Sequence, residues 1–70
     1  MMPITMTKAG DSAIIKKING KDDVKRHLET LGFTVGEAII VINEMGGNLI
    51  LNIKGSRVAI NKTMANRILV

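Results

Sequence analysis

The sequence predicts one small, mainly β domain, a five-stranded barrel with one α-helix between the first strand and a central hairpin and a helical turn before the last strand. A chain of 70 residues has room for a single hydrophobic core. With no cysteine and one histidine, it is not expected to gain stability from disulfides or zinc, so the core must be aliphatic. Eleven Ile and five Val, beside five Leu, give that core a β-branched bias that favours strands. A barrel is preferred because it leaves no open edges. An open α+β sheet is the alternative.

The first segment, residues 3–10, is predicted to enter the barrel as a short extended stretch. Ile4 and Met6 alternate with other residues, so both side chains are expected to lie under the barrel. The segment ends in a predicted turn at residues 10–11.

The first strand is predicted at residues 12–18. Ile15 and Ile18 are three positions apart, which does not fit the two-residue period of a strand. Both can point inward only if a bulge forms at residues 16–17, and a bulge would also curve the strand into a barrel.

An α-helix is predicted after a turn at residues 19–20. Asp22 and Asp23 lie in its first turn, where the helix dipole favours negative charge. The apolar residues recur at i, i+4 and i+7, the stripe of a helix that packs on a core; they are Val24, Leu28 and Leu31.

The helix is predicted to end in a Schellman cap. Gly32 can adopt the left-handed conformation, and Phe33 can then fold back onto the last helical turn, so both residues are interpreted as structural. A second turn follows at residues 34–36. The glycines assigned to turns along the chain are Gly32, Gly36, Gly46, Gly47 and Gly55.

Residues 37–54 form the clearest predicted hairpin. Strands at residues 37–45 and 49–54 flank Gly46-Gly47-Asn48, which supplies the positive φ angles of a tight reversal. Alternation assigns one face of the hairpin to the core: Ile39, Val41, Leu49, Leu51 and Ile53. The chain is then predicted to finish with a strand at 57–60, a helical turn at 61–67 that carries Met64, and a strand at 68–70.

The charge and the apolar content exclude several classes of protein. The net charge of +4 is spread evenly, with +2 in each half of the chain. No nucleic-acid partner is expected, because Tyr and Trp are absent and a stacking surface is missing, so a nucleic-acid-binding barrel is only the third hypothesis. No run of about 18 apolar residues and no signal peptide is present, which predicts a cytoplasmic protein without membrane insertion.

The side chains that carry chemistry are few. His27 is the only candidate general base, so no catalytic residues and no enzyme activity are expected. Asp23 and His27 are four residues apart on the predicted helix, where they could face a metal together or form a surface ion pair. No cofactor is expected, and weak binding of a divalent transition metal by this pair is the alternative.

The outer face of the hairpin is predicted to be apolar. If Ile39 and Val41 point inward, then Ile40, Ile42 and Ile50 point outward, more than the scattered single residues that need no explanation. Another segment of the chain could cover them; otherwise they form a docking surface or a weak homo-oligomer contact. Lys25 and Arg26 on the helix are expected to steer an acidic partner toward this surface.

The order of these elements resembles the ferrous-iron transport protein A family, FeoA. The Leu-Gly-Phe that ends the helix, followed by x-x-Gly, is the most specific part; Val35 departs from the Pro that many members carry there. The matching elements span nearly the whole chain: Gly10, AIIKKING (13–20), LGF (31–33), Gly36, the GGN hairpin tip, KGSRVAI (54–60) and ILV (68–70).

The resemblance implies an SH3-like barrel in one domain, residues 1–70, that assists a membrane ferrous-iron permease with a GTPase domain (FeoB-type). Because similar domains end the iron-dependent repressors, it also implies a metal-responsive regulatory module as the alternative. The family has no catalytic residues to carry over to this chain.

Overall fold

In the computed structural model, which describes residues 1–20 and 22–70, the chain forms two small antiparallel sheets around one core. A short 3-10 helix, Ile4–Met6, comes first. The strands are β1 (Ser12–Ile14), β2 (Lys17–Ile18), β3 (Ala38–Met45), β4 (Asn48–Ile53), β5 (Ser56–Asn61) and β6 (Ile68–Leu69). The α-helices are α1 (Asp23–Thr30), between β2 and β3, and α2 (Lys62–Ala65), between β5 and β6. No helix of the described chain is long and apolar enough to cross a membrane.

The larger sheet has the order β1-β3-β4-β5. Its central hairpin, β3–β4, turns through Gly46 and Gly47, which have φ angles of 58° and 81°. Two consecutive positive φ angles are typical of the type I′ turn, whose twist matches that of the flanking strands. The register pairs Val41 with Leu51 and then shifts, so that Asn43 pairs with Ile50 and Ile42 lies in a bulge.

The predicted strand at residues 12–18 is divided between the two sheets, so the described residues form six strands rather than the five predicted. The Ile15 N–H donates to the Glu37 carbonyl at 2.9 Å, on the β3 side. The next N–H, that of Lys16, donates to the Leu69 carbonyl at 2.8 Å, and β2 then pairs with β6. Ile15 and Ile18 are both buried, as expected, but a change of sheet rather than a bulge places them. The two sheets do not join into one closed barrel in the described part of the chain.

Helix α1 begins and ends with side-chain and backbone caps. Asp22 is the N-cap rather than a first-turn residue, and its carboxylate accepts from the Val24 N–H at 3.2 Å. At the other end the Gly32 N–H donates to the Glu29 carbonyl and the Phe33 N–H to the Leu28 carbonyl, both at 3.0 Å. This pair of bonds is the Schellman motif, and the positive φ of Gly32, 107°, permits it.

The core is aliphatic with one aromatic ring. The Phe33 side chain has no exposed surface, and the fully or nearly buried residues come from both sheets and both helices. The entry segment contributes Ile4, but Met6 is 67% exposed, contrary to the prediction. The 3-10 helix explains the difference, because a helical turn does not place residues i and i+2 on one face. The core residues are Ile4, Ile15, Ile18, Leu28, Phe33, Ile39, Val41, Leu49, Leu51, Ile53, Ile60, Ala65 and Ile68.

Candidate functional site

An apolar patch covers the outer face of the larger sheet, where the hairpin isoleucines were predicted. Ile40 is 41% exposed, whereas Ile42 and Ile50 are half-buried. Their neighbours on β3 and β4, Ile39 and Leu51, are buried in the core, so the two faces of the hairpin differ as alternation requires. Ile42 lies at the β3 bulge, beyond which the register pairs Ile50 with Asn43.

Ile14 extends this patch across the neighbouring strand. Its side chain is 49% exposed, and it lies on β1, which pairs with β3 so that Ser12 faces Ile40 and Ile14 faces Ala38. Ile14 and Ile40 are therefore diagonal neighbours on one face. The sequence carries the signal for Ile14, since an inward Ile15 requires an outward Ile14. The outer isoleucine patch is defined here as Ile14, Ile40, Ile42 and Ile50.

Two basic residues lie beside the outer isoleucine patch. Ile40 pairs with Asn52, which pairs with Arg57 on β5, so Arg57 lies in the same cross-strand row as Ile40. On the other side Lys16 follows Ile14 by two residues. Within residues 1–20 and 22–70, neither cation is in an ion pair. Of the carboxylates near the patch in sequence, Glu37 is paired with Lys54 at 3.8 Å and Glu44 with Lys62, whereas Asp11 is in none of the ion pairs of the described residues.

Lys25 and Arg26, predicted to steer the partner, lie elsewhere. Both are on α1, which packs against the core through Leu28, whereas the patch is on the sheet face that points away from the core. The Arg26 guanidinium is 3.7 Å from the Asp23 carboxylate, in an exposed pair one helical turn apart. The structure therefore does not bring these two basic residues together with the isoleucines; the basic residues beside the patch are Arg57 and Lys16.

His27 and Asp23 share a face of α1, as their spacing predicts. Asp23 is the first residue of the helix and His27 the fifth, and the Asp23 carboxylate contacts Arg26. In the part of the chain that the structure describes, no third His, Cys, Asp or Glu is close enough to form a metal-binding group with them. A zinc-type site needs about four such ligands, so the pair alone offers at most a weak, open site.

A groove that was not predicted runs along the open edge of β1. Its volume is about 890 Å³. Sequence reasoning could not find it, because the groove arises where the chain leaves the larger sheet after Ile14 and joins β6 through Lys16. The residues that line it are Met1, Met2, Thr7, Gly10, Asp11, Ser12, Ala13, Ile14, Lys16 and Val70.

A second polar cluster ties the start of α1 to the turn before β6. The Arg67 guanidinium donates to both carboxylate oxygens of Asp22, at 3.0 and 3.2 Å. Partial desolvation raises the pKa of Asp22, but hydrogen bonds from Arg67 and the Lys25 N–H, together with the Arg67 charge, outweigh it and lower the pKa below its usual value. The hydrogen bonds that this carboxylate accepts come from the helix start and from Arg67, so we assign the cluster a role in stability.

Comparisons with known proteins agree with the resemblance in the sequence. The family model for the FeoA domain matches residues 2–70. A "Putative Fe(2+) transport protein A" from Methanocaldococcus jannaschii is 33% identical over 70 residues, which is 100% of this chain and 85% of that protein.

Solved structures of the family have the same fold. A crystal structure of an iron uptake regulatory protein, FeoA, is 33% identical with a TM-score of 0.88, over 96% of this chain and 89% of that one. A Stenotrophomonas maltophilia FeoA, solved in complex with zinc and described as a procaryotic SH3 domain protein, is 24% identical with a TM-score of 0.87, over 100% of this chain and 89% of that one. These likenesses confirm the mainly β, SH3-like class. The chain belongs to the FeoA family, the ferrous-iron transport proteins A.

Proposed function

We propose that this protein is an accessory and regulatory protein of ferrous-iron uptake that binds the cytosolic GTPase part of a ferrous-iron permease (FeoB-type). Family membership supports the transport process. A protein with one histidine and no cysteine has few groups for catalysis, so contact with another protein is the role that its surface supports best. The single observation that carries the proposal is the outer isoleucine patch.

The patch has the composition of an interface centre. Full burial of an isoleucine side chain contributes about 1.5–3 kcal/mol, so burying the exposed 41% of Ile40 contributes about 1 kcal/mol. Ile14, with 49% exposed, contributes a similar amount. Two such residues beside half-buried Ile42 and Ile50 supply an apolar centre within a polar rim, the usual anatomy of a protein interface.

The basic residues at the rim indicate the charge of the partner. Lys16 and Arg57 flank the outer isoleucine patch, and neither is in an ion pair with a described residue. A partner surface with acidic residues around an apolar centre would complement them and would associate faster at low ionic strength. Raising the salt concentration is therefore expected to slow association more than it speeds dissociation.

Calorimetric titration with the isolated GTPase-bearing domain of the permease tests this proposal. Ile40→Asp places a charge in the centre of the patch and is expected to weaken binding by at least about tenfold. Val35→Asp is the matched control, because Val35 is 67% exposed but lies in the turn before β3, outside the patch. Binding by Ile40→Asp within twofold of the wild type, with the fold intact, would contradict the proposal.

Weak binding of a divalent metal by His27 and Asp23 is the alternative function. Its support is their one-turn spacing on an exposed helix, where both side chains can face the same ion. Anaerobic titration with Fe(II) or Co(II) should then shift the His27 ring signals, and Asp23→Asn should reduce the shift. Unchanged ring signals at millimolar metal exclude this role.

A further inference from the structure

Among the described residues, strand β1 has a partner on one side only. In the four-stranded sheet β1 is an edge strand that pairs with β3 alone. The Val41 N–H donates to the Asp11 carbonyl and the Ile15 N–H to the Glu37 carbonyl, so the odd-numbered residues face β3. Because backbone groups alternate along a strand, the N–H and C=O groups of Ser12 and Ile14 face the other way. Within the described chain these four groups have no hydrogen-bond partner.

The open edge faces the groove and lies in line with β6. The Lys16 N–H is on the same side of the chain as those of Ser12 and Ile14, and it donates to the Leu69 carbonyl. Strand β6 runs antiparallel to β2 and ends beside Val70, at one end of the groove. A strand added beside β1, about 4.8 Å away, would therefore continue the direction of β6 through the groove.

The opposite edge of the sheet, β5, does not offer the same site. In β5 the residues whose backbone groups face outward are Arg57 and Ala59, because Val58 and Ile60 face β4. A charged side chain on an edge strand discourages pairing with another chain. Neither Arg57 nor Ala59 lines the groove, whereas exposed apolar side chains of Met1, Met2 and Ile14 do.

The charges at the two ends of the groove specify the occupant. Lys16 lies at one end and Asp11 at the other, and neither is in an ion pair in the described ranges. An antiparallel strand beside β1 has its N-terminal end near Lys16 and its C-terminal end near Asp11. We infer that β1 is a docking edge for an extended partner segment with an acidic residue at its N-terminal end, alternating apolar residues, and a basic residue at its C-terminal end.

This mode of binding is the addition of a strand to a sheet edge. It deepens the proposed function and rests on it in one respect, the identity of the protein that supplies the segment.

Amide hydrogen exchange with a defined peptide tests the inference apart from the permease. The probe is acetyl-Glu-Val-Thr-Val-Thr-Val-Lys-amide, compared with a peptide whose Glu and Lys are exchanged. The acid-first peptide should protect the Ser12 and Ile14 amides and leave those of Arg57 and Ala59 unchanged. Protection without any peptide, increasing with protein concentration, would instead show pairing between copies and overturn the inference.

Two proline variants provide the matched pair. Ser12→Pro removes an N–H that points into the groove and is expected to weaken peptide binding about tenfold. Ala59→Pro makes the same change on the β5 edge and should leave binding within twofold. If Ser12→Pro does not fold, Lys16→Glu replaces it, and this variant should lose the preference for the acid-first peptide, because both ends of the groove are then acidic.

The outcomes separate this inference from the proposed function. If neither peptide binds at millimolar concentration, the inference is wrong, whatever the permease domain does. If the peptide binds at β1 but the GTPase-bearing domain does not bind the protein, the docking edge stands and the proposed partner is wrong. If the domain binds but protects other amides, the proposed function stands and the inference fails.

Discussion

Ile39 and Ile40 offer a direct test of the two faces of the central hairpin. They are consecutive residues of one type on β3, yet Ile39 has no exposed surface and Ile40 is 41% exposed. The same substitution, Ile→Ala, therefore probes the core at one position and the outer isoleucine patch at the next. A domain of this length has about 4–10 kcal/mol of stability, which makes the difference easy to measure.

The expected magnitudes follow from burial. Ile39→Ala leaves a cavity in a closed core and should cost about 2–5 kcal/mol. Ile40→Ala loses only part of its buried surface and some strand preference, so it should cost about 1 kcal/mol. The smaller of these changes already lowers the melting temperature by about 4–8 °C in a domain of this size.

Urea unfolding followed by far-ultraviolet circular dichroism measures both variants, since the chain has no Trp or Tyr for fluorescence. The dependence of the unfolding free energy on urea should keep its slope, because the surface exposed on unfolding hardly changes. Ile40→Ala should weaken partner binding while it costs less stability than Ile39→Ala. Equal losses of stability at the two positions would refute the assignment of faces.

Two further predictions concern the turn that precedes α1. Because the folded pKa of Asp22 is lowered, its ion pair with Arg67 stabilises the protein above the ordinary pKa of 3.8 and is lost as the pH falls through the folded value. As the pH is lowered, the free energy of unfolding should fall less steeply in Asp22→Asn than in the wild type. The same pH dependence in both proteins would count against a stabilising ion pair. Gly36→Ala, with open space around the new Cβ, should cost only about 1–2 kcal/mol of backbone strain. Gly20→Ala, at φ 99°, should cost more, because its Cβ would also lie against the Arg67 guanidinium. Thermal melts compare the two glycine variants, and equal costs would show that Arg67 moves aside freely.

Features that depend on neighbouring residues were predictable from the sequence. The Gly32-Phe33 end of α1 requires only a residue with positive φ and an apolar residue after it. The Gly46-Gly47 reversal and the alternation beside it fix which hairpin residues are buried. The family's order of turns then led to the SH3-like class.

Features that depend on distant parts of the chain were not predictable. The change of sheet at Ile15 and Lys16 requires β6, which is far along the chain, to be present as the second partner. The groove beside β1 is a consequence of that change. The spacing of Lys25 and Arg26 gave no information on where α1 lies relative to the patch, and the helix packs on the opposite side of the sheet.

The outer isoleucine patch and the open edge of β1 meet at Ile14, which belongs to both. A partner that adds a strand at β1 would therefore also cover part of the patch. This continuity gives the two proposals one shared residue and makes Ile14 the position where a substitution should affect both contacts.

Mapping of amide chemical shifts on the isotope-labelled protein, with the GTPase-bearing domain of the permease added, tests the central claim most directly. The account predicts that the shifts concentrate on β1 and β3, around Ile14 and Ile40, and that Ile40→Asp removes them while Val35→Asp does not. Shifts confined to α1, around Lys25 and Arg26, would contradict it and place the docking surface on the helix.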